Sequence, residues 1–164
     1  MTALLAIFVK VRFLLPKAMK LKVPPPVLFL LCIVIIKLLP TTALLNFAFF
    51  VLASALFVVG LVIALASLLT FWHAKTTVSP KKIEQTSTLI TTGVFRLSRN
   101  PMYLSLVFWL LAWTIFCETL WGVLVVIGFI AYLTEFQIKP EEKFLAQKFG
   151  KQYLDYKQSV RRWI

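Results

Sequence analysis

A chain of 164 residues that is 60% hydrophobic and 15% charged, with a mean hydropathy of +0.89, has too little polar surface to coat a soluble globule of its size. Composition therefore predicts an all-α integral membrane protein, with lipid solvating much of its surface. The net charge of +12 does not point to nucleic acid, because the basic residues fall in three blocks between apolar runs and do not interleave with aromatics along a groove. Cys32 and Cys117 both lie in apolar stretches and there is a single His, a pattern that indicates neither a disulfide framework nor a zinc centre.

Residues 1–15 are apolar but too short to cross about 30 Å of hydrocarbon, and Lys10 and Arg12 interrupt them. They are expected to form an interfacial segment that is not cleaved, since the first eight residues lack the basic region of a secretory signal. Pro24, Pro25 and Pro26 give a stiff start to a short first span over residues 27–39. Pro40, Thr41 and Thr42 turn the chain into a second, longer span over residues 43–72. Within it Ala53, Gly60, Ala64 and Ser67 are spaced so that several share one face, which permits close helix contact.

Residues 73–99 are polar and form the only long loop between apolar runs. A third span over residues 102–117 and a fourth over residues 120–138 are separated by little more than Glu118 and make a second hairpin. Seventeen of the eighteen Lys and Arg lie in the N-terminal block, this loop or the tail, and neither outer turn has any. The excess of positive charge on cytoplasmic segments then places both termini inside, with four spans. Lys37, the eighteenth, is near the outer end of the first span, where its stem can snorkel. Trp113 and Trp121 flank the outer turn and Trp72 marks the inner end of the second span, as an aromatic belt would. The chain reads as one membrane domain, with a basic segment at 1–22, a four-helix core at 23–138 and a cytoplasmic helical tail at 139–164.

The tail opens with Pro140, suited to a first helical position, and Glu141 and Glu142 in the first turn. Leu145, Phe149, Tyr153 and Tyr156 recur at helical spacing and predict an amphipathic helix, with Gly150 able to break or bend it. Standing alone, such a helix reads as one lying on anionic lipid.

Two stretches can carry chemistry. Where the inner loop meets the third span, Pro101 starts a helix whose first N–H groups can bind an anion, with Arg96 or Arg99 adding charge. The plainer reading is a positive-inside anchor before a helix start. Glu141 and Glu142 converge on the same membrane face, so the two stretches together can hold a zwitterion, acid groups meeting its cation and Arg with free amides its carboxylate. Glu135, near the inner end of the fourth span, is either a functional group within the membrane or one that reaches the interface. His73 is expected to be interfacial and not a base.

Arg99-Asn100-Pro101-Met102-Tyr103, followed by Pro140-Glu141-Glu142-Lys143-Phe144-Leu145, Phe149-Gly150, Tyr153, Tyr156 and Val160-Arg161-Arg162-Trp163, resembles the isoprenylcysteine carboxyl methyltransferase and phospholipid methyltransferase superfamily. The likeness runs from Thr92 onward, a little under half the chain. It implies a helical membrane methyltransferase that binds S-adenosylmethionine at the cytoplasmic surface through an RHPxYxG-type motif and paired glutamates. Carried across, it implies that Arg99, Asn100, Pro101 and Tyr103 help form the cofactor pocket and that Glu141 and Glu142 close it. Asn100 stands where His is usual and Ser105 where Gly is common, and Asn cannot titrate. No catalytic residue is assigned. The resemblance implies a lipophilic acceptor, such as an isoprenylcysteine-like carboxylate, a phospholipid amine or a thiol, and membrane lipid as the surroundings, with no nucleic acid or metal. The rival readings are a sterol-reductase-like enzyme using NADPH and a membrane adaptor that has lost catalysis.

Overall fold

The computed structural model describes residues 23–42, 46–73 and 89–164. The expectations for the basic segment at 1–22 and the middle of the inner loop at 74–88 lie outside the described residues.

Helix α1 is Pro25–Leu38 and α2 is Phe47–His73; a single 3-10 turn, Gly93–Arg96, precedes α3, Pro101–Phe116. Helix α4, Gly122–Tyr132, runs through a wide turn at Leu133–Ile138 into α5, Lys139–Phe149, and α6 is Lys151–Ser159. Among the described residues there is no strand. Prolines start both shorter helices, Pro25 and Pro26 in α1 and Pro101 in α3, where a missing N–H leaves no bond unmade.

Two of the four expected spans have the length and apolarity to cross a membrane. They are α2, with 27 residues, and the continuous helix Gly122–Phe149, with 28. At 1.5 Å per residue each is about 40 Å long, against about 30 Å of hydrocarbon. Helices α1 and α3, with 14 and 16 residues, are shorter than that thickness. Only 11% of the apolar window of α2 is buried by protein, and Phe57, Val58 and Val62 are each more than half exposed. Such a surface requires lipid around it, which makes this a membrane protein.

Helix α2 meets α3 through its small residues. Ala53, Gly60 and Ser67 are its three buried positions, one every seventh residue, and Trp109 of α3 sits over Gly60. The Trp109 indole donates to the Phe57 carbonyl at 3.2 Å and stacks on the Phe57 ring. Helix α1 packs on α3 and α4 around Ile36, Leu110, Phe129 and Leu133, with Cys32 and Cys117 buried in the same core. The turns after α1 and α3 are tied together: Thr42 donates its N–H and its hydroxyl to the Glu118 carbonyl, at 2.6 and 2.8 Å.

The tail departs from expectation in two ways. The α-helix that carries Glu141 and Glu142 in its first turn does start at Lys139–Pro140, but it is not separate: it continues the fourth apolar helix, which runs on to Phe149. Proline disrupts a regular ladder by lacking an N–H and crowding the carbonyl four residues back, and the chain answers with the wide turn just before it, where Lys139 N–H bonds to Thr134 rather than to Glu135. Nor does the apolar face of the tail lie on lipid. Gly150, at φ +51, breaks the helix and turns α6 back, so that Tyr153 and Tyr156 are 2% and 8% exposed and pack against Phe95, with Leu145, Phe149 and Phe71 alongside.

A β-carbon at Gly60 would lie 2.7 Å from the Trp109 ring, whereas one at Gly128 would meet nothing within 4 Å. Gly60→Val is therefore expected to destabilise the protein by about 1–3 kcal/mol, while Gly128→Ala in α4 leaves stability unchanged or raises it slightly. Thermal unfolding of both variants in detergent micelles checks the contrast.

Candidate active site

The N-terminus of α3, the first turn of α5 and the segment after α6 meet at one end of the helices. Each is brought there by a local feature: Pro101 fixes the start of α3, the wide turn sets the facing of α5, and Gly150 redirects α6. Glu142 of α5 is buried among positive charges. Its two oxygens take a forked pair of bonds from Arg162, from Nε at 2.7 Å and Nη2 at 2.8 Å, and Arg99 Nη2 lies 3.2 Å away. The Arg99 and Glu142 side chains are 8% and 9% exposed.

Glu141, one residue earlier, faces a different set. It accepts from the Tyr103 hydroxyl at 3.0 Å and from the Gln137 side-chain amide one turn back. The backbone after α6 closes over the start of α3: Arg99 N–H donates to the Arg161 carbonyl at 3.0 Å, and the Asn100 side-chain amide donates to the Arg162 carbonyl at 3.0 Å. Ser98 Oγ donates to the same carbonyl at 3.3 Å, and the Trp163 indole donates to Thr134 Oγ1 at 3.2 Å. The hydrogen bond to Glu142 holds the Arg162 guanidinium pKa above its ordinary value despite partial burial. Burial raises the Tyr153 and Tyr156 phenols; Tyr156 donates to the Phe95 carbonyl at 2.7 Å, and Tyr153 accepts from Arg99 Nη1 at 3.4 Å.

A cavity of about 420 Å³ opens beside these groups. All six residues singled out from the sequence, Arg99, Asn100, Pro101, Tyr103, Glu141 and Glu142, line it. Its wall continues to Ser105, Leu106 and Trp109 along α3 and to Ala64 and Leu68 of α2. Trp109 lies eight residues beyond Pro101, about 12 Å up the helix axis, so one space joins a charged mouth to an apolar arm.

Three other residues settle differently. His73 does not line this cavity; its Nδ1 donates to the Leu69 carbonyl at 2.7 Å and the residue is exposed. Glu135 is 42% exposed and pairs with Lys139 on the helix surface, away from the cavity. Arg162, Gln137 and Tyr153 were not singled out from the sequence as site residues. For Gln137 a usable signal was present, since it stands one helical turn before Glu141.

These features define a helical membrane protein with a polar site at one face, built from sequence-distant glutamates and arginines beside an apolar arm. The sequence pattern of the phospholipid methyltransferase family matches residues 48–152, well over half the chain, and the protein belongs to that family. It is 32% identical over 104 residues to protein-S-isoprenylcysteine O-methyltransferase A of Arabidopsis thaliana, a match covering 63% of this chain and 52% of that one. It is 30% identical over 113 residues to protein-S-isoprenylcysteine O-methyltransferase of Saccharomyces cerevisiae, covering 67% and 46%. The chain thus spans about half the length of these two methyltransferases. An uncharacterized protein of Haemophilus influenzae is 51% identical over 63 residues, which is 38% of this chain and all of that protein. No solved structure matches the chain significantly.

The pairing of Glu142 makes it the most costly charge here to remove, because its loss leaves two guanidinium groups facing each other with little water. Glu142→Gln is expected to destabilise the protein by about 3 kcal/mol or more. Lys148→Gln, on an exposed residue, is expected to stay within about 0.5 kcal/mol. Denaturant unfolding in mixed micelles measures both.

Proposed function

We propose that the protein is an S-adenosylmethionine-dependent methyltransferase acting on a lipophilic acceptor at the cytoplasmic face of the membrane, with both termini on that face and α1 to α4 forming two hairpins across it. The observation that carries this reading is the single cavity in which a pair of acids, an arginine and a helix N-terminus lie beside an apolar arm. Membership of a methyltransferase family supports it, as do the two isoprenylcysteine methyltransferases among the relatives.

The residues present suit the cofactor. Arg99 is a buried cation with capacity to spare: its Nε has no partner, and its bond to the Tyr153 hydroxyl is long at 3.4 Å. It can take up a carboxylate together with the first-turn N–H groups of α3. Glu141, oriented by Tyr103 and Gln137, can accept from an ammonium or from ribose hydroxyls. The cofactor supplies an electrophilic methyl group carried on a sulfonium.

The chain's own part is alignment and exclusion of water. Leu68 lines the cavity and is 45% exposed on α2, and Pro26, also exposed, lines it from α1. The apolar arm thus reaches the lipid-facing side, where an acceptor can slide in from the bilayer. Asn100 cannot take a proton, its amide is engaged by a backbone carbonyl, and His73 is elsewhere. An acceptor that is already anionic, a carboxylate or a thiolate, fits this site better than an ammonium that must first lose a proton.

Calorimetric titration of the purified protein with S-adenosylmethionine and with NADPH tests the cofactor. Binding of the first alone is expected; binding of NADPH alone supports a reductase, and binding of neither supports an adaptor without catalysis. Glu141→Gln is expected to weaken S-adenosylmethionine binding roughly 10- to 100-fold, the value of a hydrogen-bonded charge, with the melting temperature nearly unchanged. An equal loss in Lys148→Gln would remove Glu141 from the site.

A further inference from the structure

Arg162 belongs to a segment that packs against the site without lining the cavity, yet it makes the strongest polar contact there, the forked pair to Glu142. Arg99 does line the cavity and approaches the same carboxylate more loosely, with one nitrogen at 3.2 Å. Among the described residues Glu142 is thus one negative charge set between two positive ones, one of which faces ligand space. A carboxylate can neutralise one guanidinium; the second retains its charge for another partner.

We infer that Arg162 is a positioning residue of the cofactor site: by engaging both oxygens of Glu142 it leaves Arg99, held to that carboxylate by one nitrogen at 3.2 Å, with charge to spare for the carboxylate of the ligand. This inference rests on the proposed cofactor. Without Arg162, Glu142 recruits Arg99 fully, and the mouth of the cavity, with Glu141 beside it, changes from balanced to net negative. Asn100 serves the same device. Its side-chain amide and the hydroxyl of Ser98 both donate to the carbonyl of Arg162, which fixes the backbone that carries the guanidinium. At this position a side-chain donor is needed and a titrating ring is not.

The consequence is specific to one group of the ligand, so binding selectivity reads it. The probes are S-adenosylmethionine and its decarboxylated analogue, which keeps the sulfonium and the amine but lacks the carboxylate. Their dissociation constants are measured by competition for the detergent-solubilised full chain. The wild type is expected to prefer the carboxylate-bearing ligand by roughly 10- to 100-fold. Arg162→Gln is expected to lose most of that preference while binding the analogue about as well as the wild type. The double variant Arg162→Gln with Glu142→Gln removes the competitor for Arg99 and is expected to regain the preference. It leaves no unpaired acid beside Arg99, so it also provides a reading if the single variant does not fold. A purely structural role for Arg162 gives the opposite result: both ligands weakened alike, and the double variant no better than the single. Either outcome overturns the inference, as does a wild type indifferent to the carboxylate. A wild type that binds neither ligand refutes the cofactor itself.

Discussion

The polar half of this protein is organised by one buried carboxylate. Glu142 is placed in a site that is nearly dry, and an ionised acid there is tolerable only with opposite charge in close, directed contact. The partners are supplied by residues 99 and 162, which lie on opposite sides of it in sequence. Meeting that requirement brings the start of α3, the first turn of α5 and the segment after α6 together. Arginine suits both positions because its planar fork can satisfy two acceptor sites at once. Part of the cavity wall follows from this junction, since Tyr103 comes from the start of α3 and Glu141 from the first turn of α5.

Two departures from regular helix make the junction possible. The wide turn at Leu133–Ile138 inserts one residue into the ladder, which rotates everything after it by about 100° relative to a straight helix. That rotation sets which way Glu141 and Glu142 face. Gly150 then takes a left-handed backbone conformation open mainly to glycine, and the chain doubles back. Tyr153 and Tyr156 come to lie beneath the 3-10 turn at Gly93–Arg96. A straight amphipathic helix with the same residues would have carried them away along the membrane surface.

Some of this was legible in the residues themselves. Apolar runs located α1, α2 and α3 to within a few residues and the start of α4, though not its continuation to Phe149, and prolines marked the starts of α1 and α3. The spacing of Ala53, Gly60 and Ser67 marked the face of α2 that packs on α3. The six site residues were named from two short motifs, and all six border one cavity. What was hidden depends on long-range contact. Periodicity shows that Tyr153 and Tyr156 share a face but not whether lipid or protein covers it. Pro140 signals a helix start only if the preceding helix has ended, and the wide turn lets that helix continue. Arg162 looks like one more basic residue in a basic tail, since its pairing with a carboxylate twenty positions earlier has no local signature.

The placement of the site has a physical consequence for the proposed reaction. In that proposal the charged end of the cavity would hold the polar cofactor toward water, while the apolar arm bounded by Leu68, Leu106 and Trp109 would keep water from the acceptor. In that low-dielectric surround the fixed charges of Arg99 and Glu141 act with less screening than they would in solvent. Methyl transfer between atoms held in line needs little further help when the acceptor arrives as an anion. For such an acceptor a site with Asn100 fastened to a backbone carbonyl, and with no imidazole among the described residues of its wall, would suffice. In the proposed reaction the demand on the fold would shift from moving protons to holding two ligands, one from water and one from lipid, on opposite sides of a single methyl group.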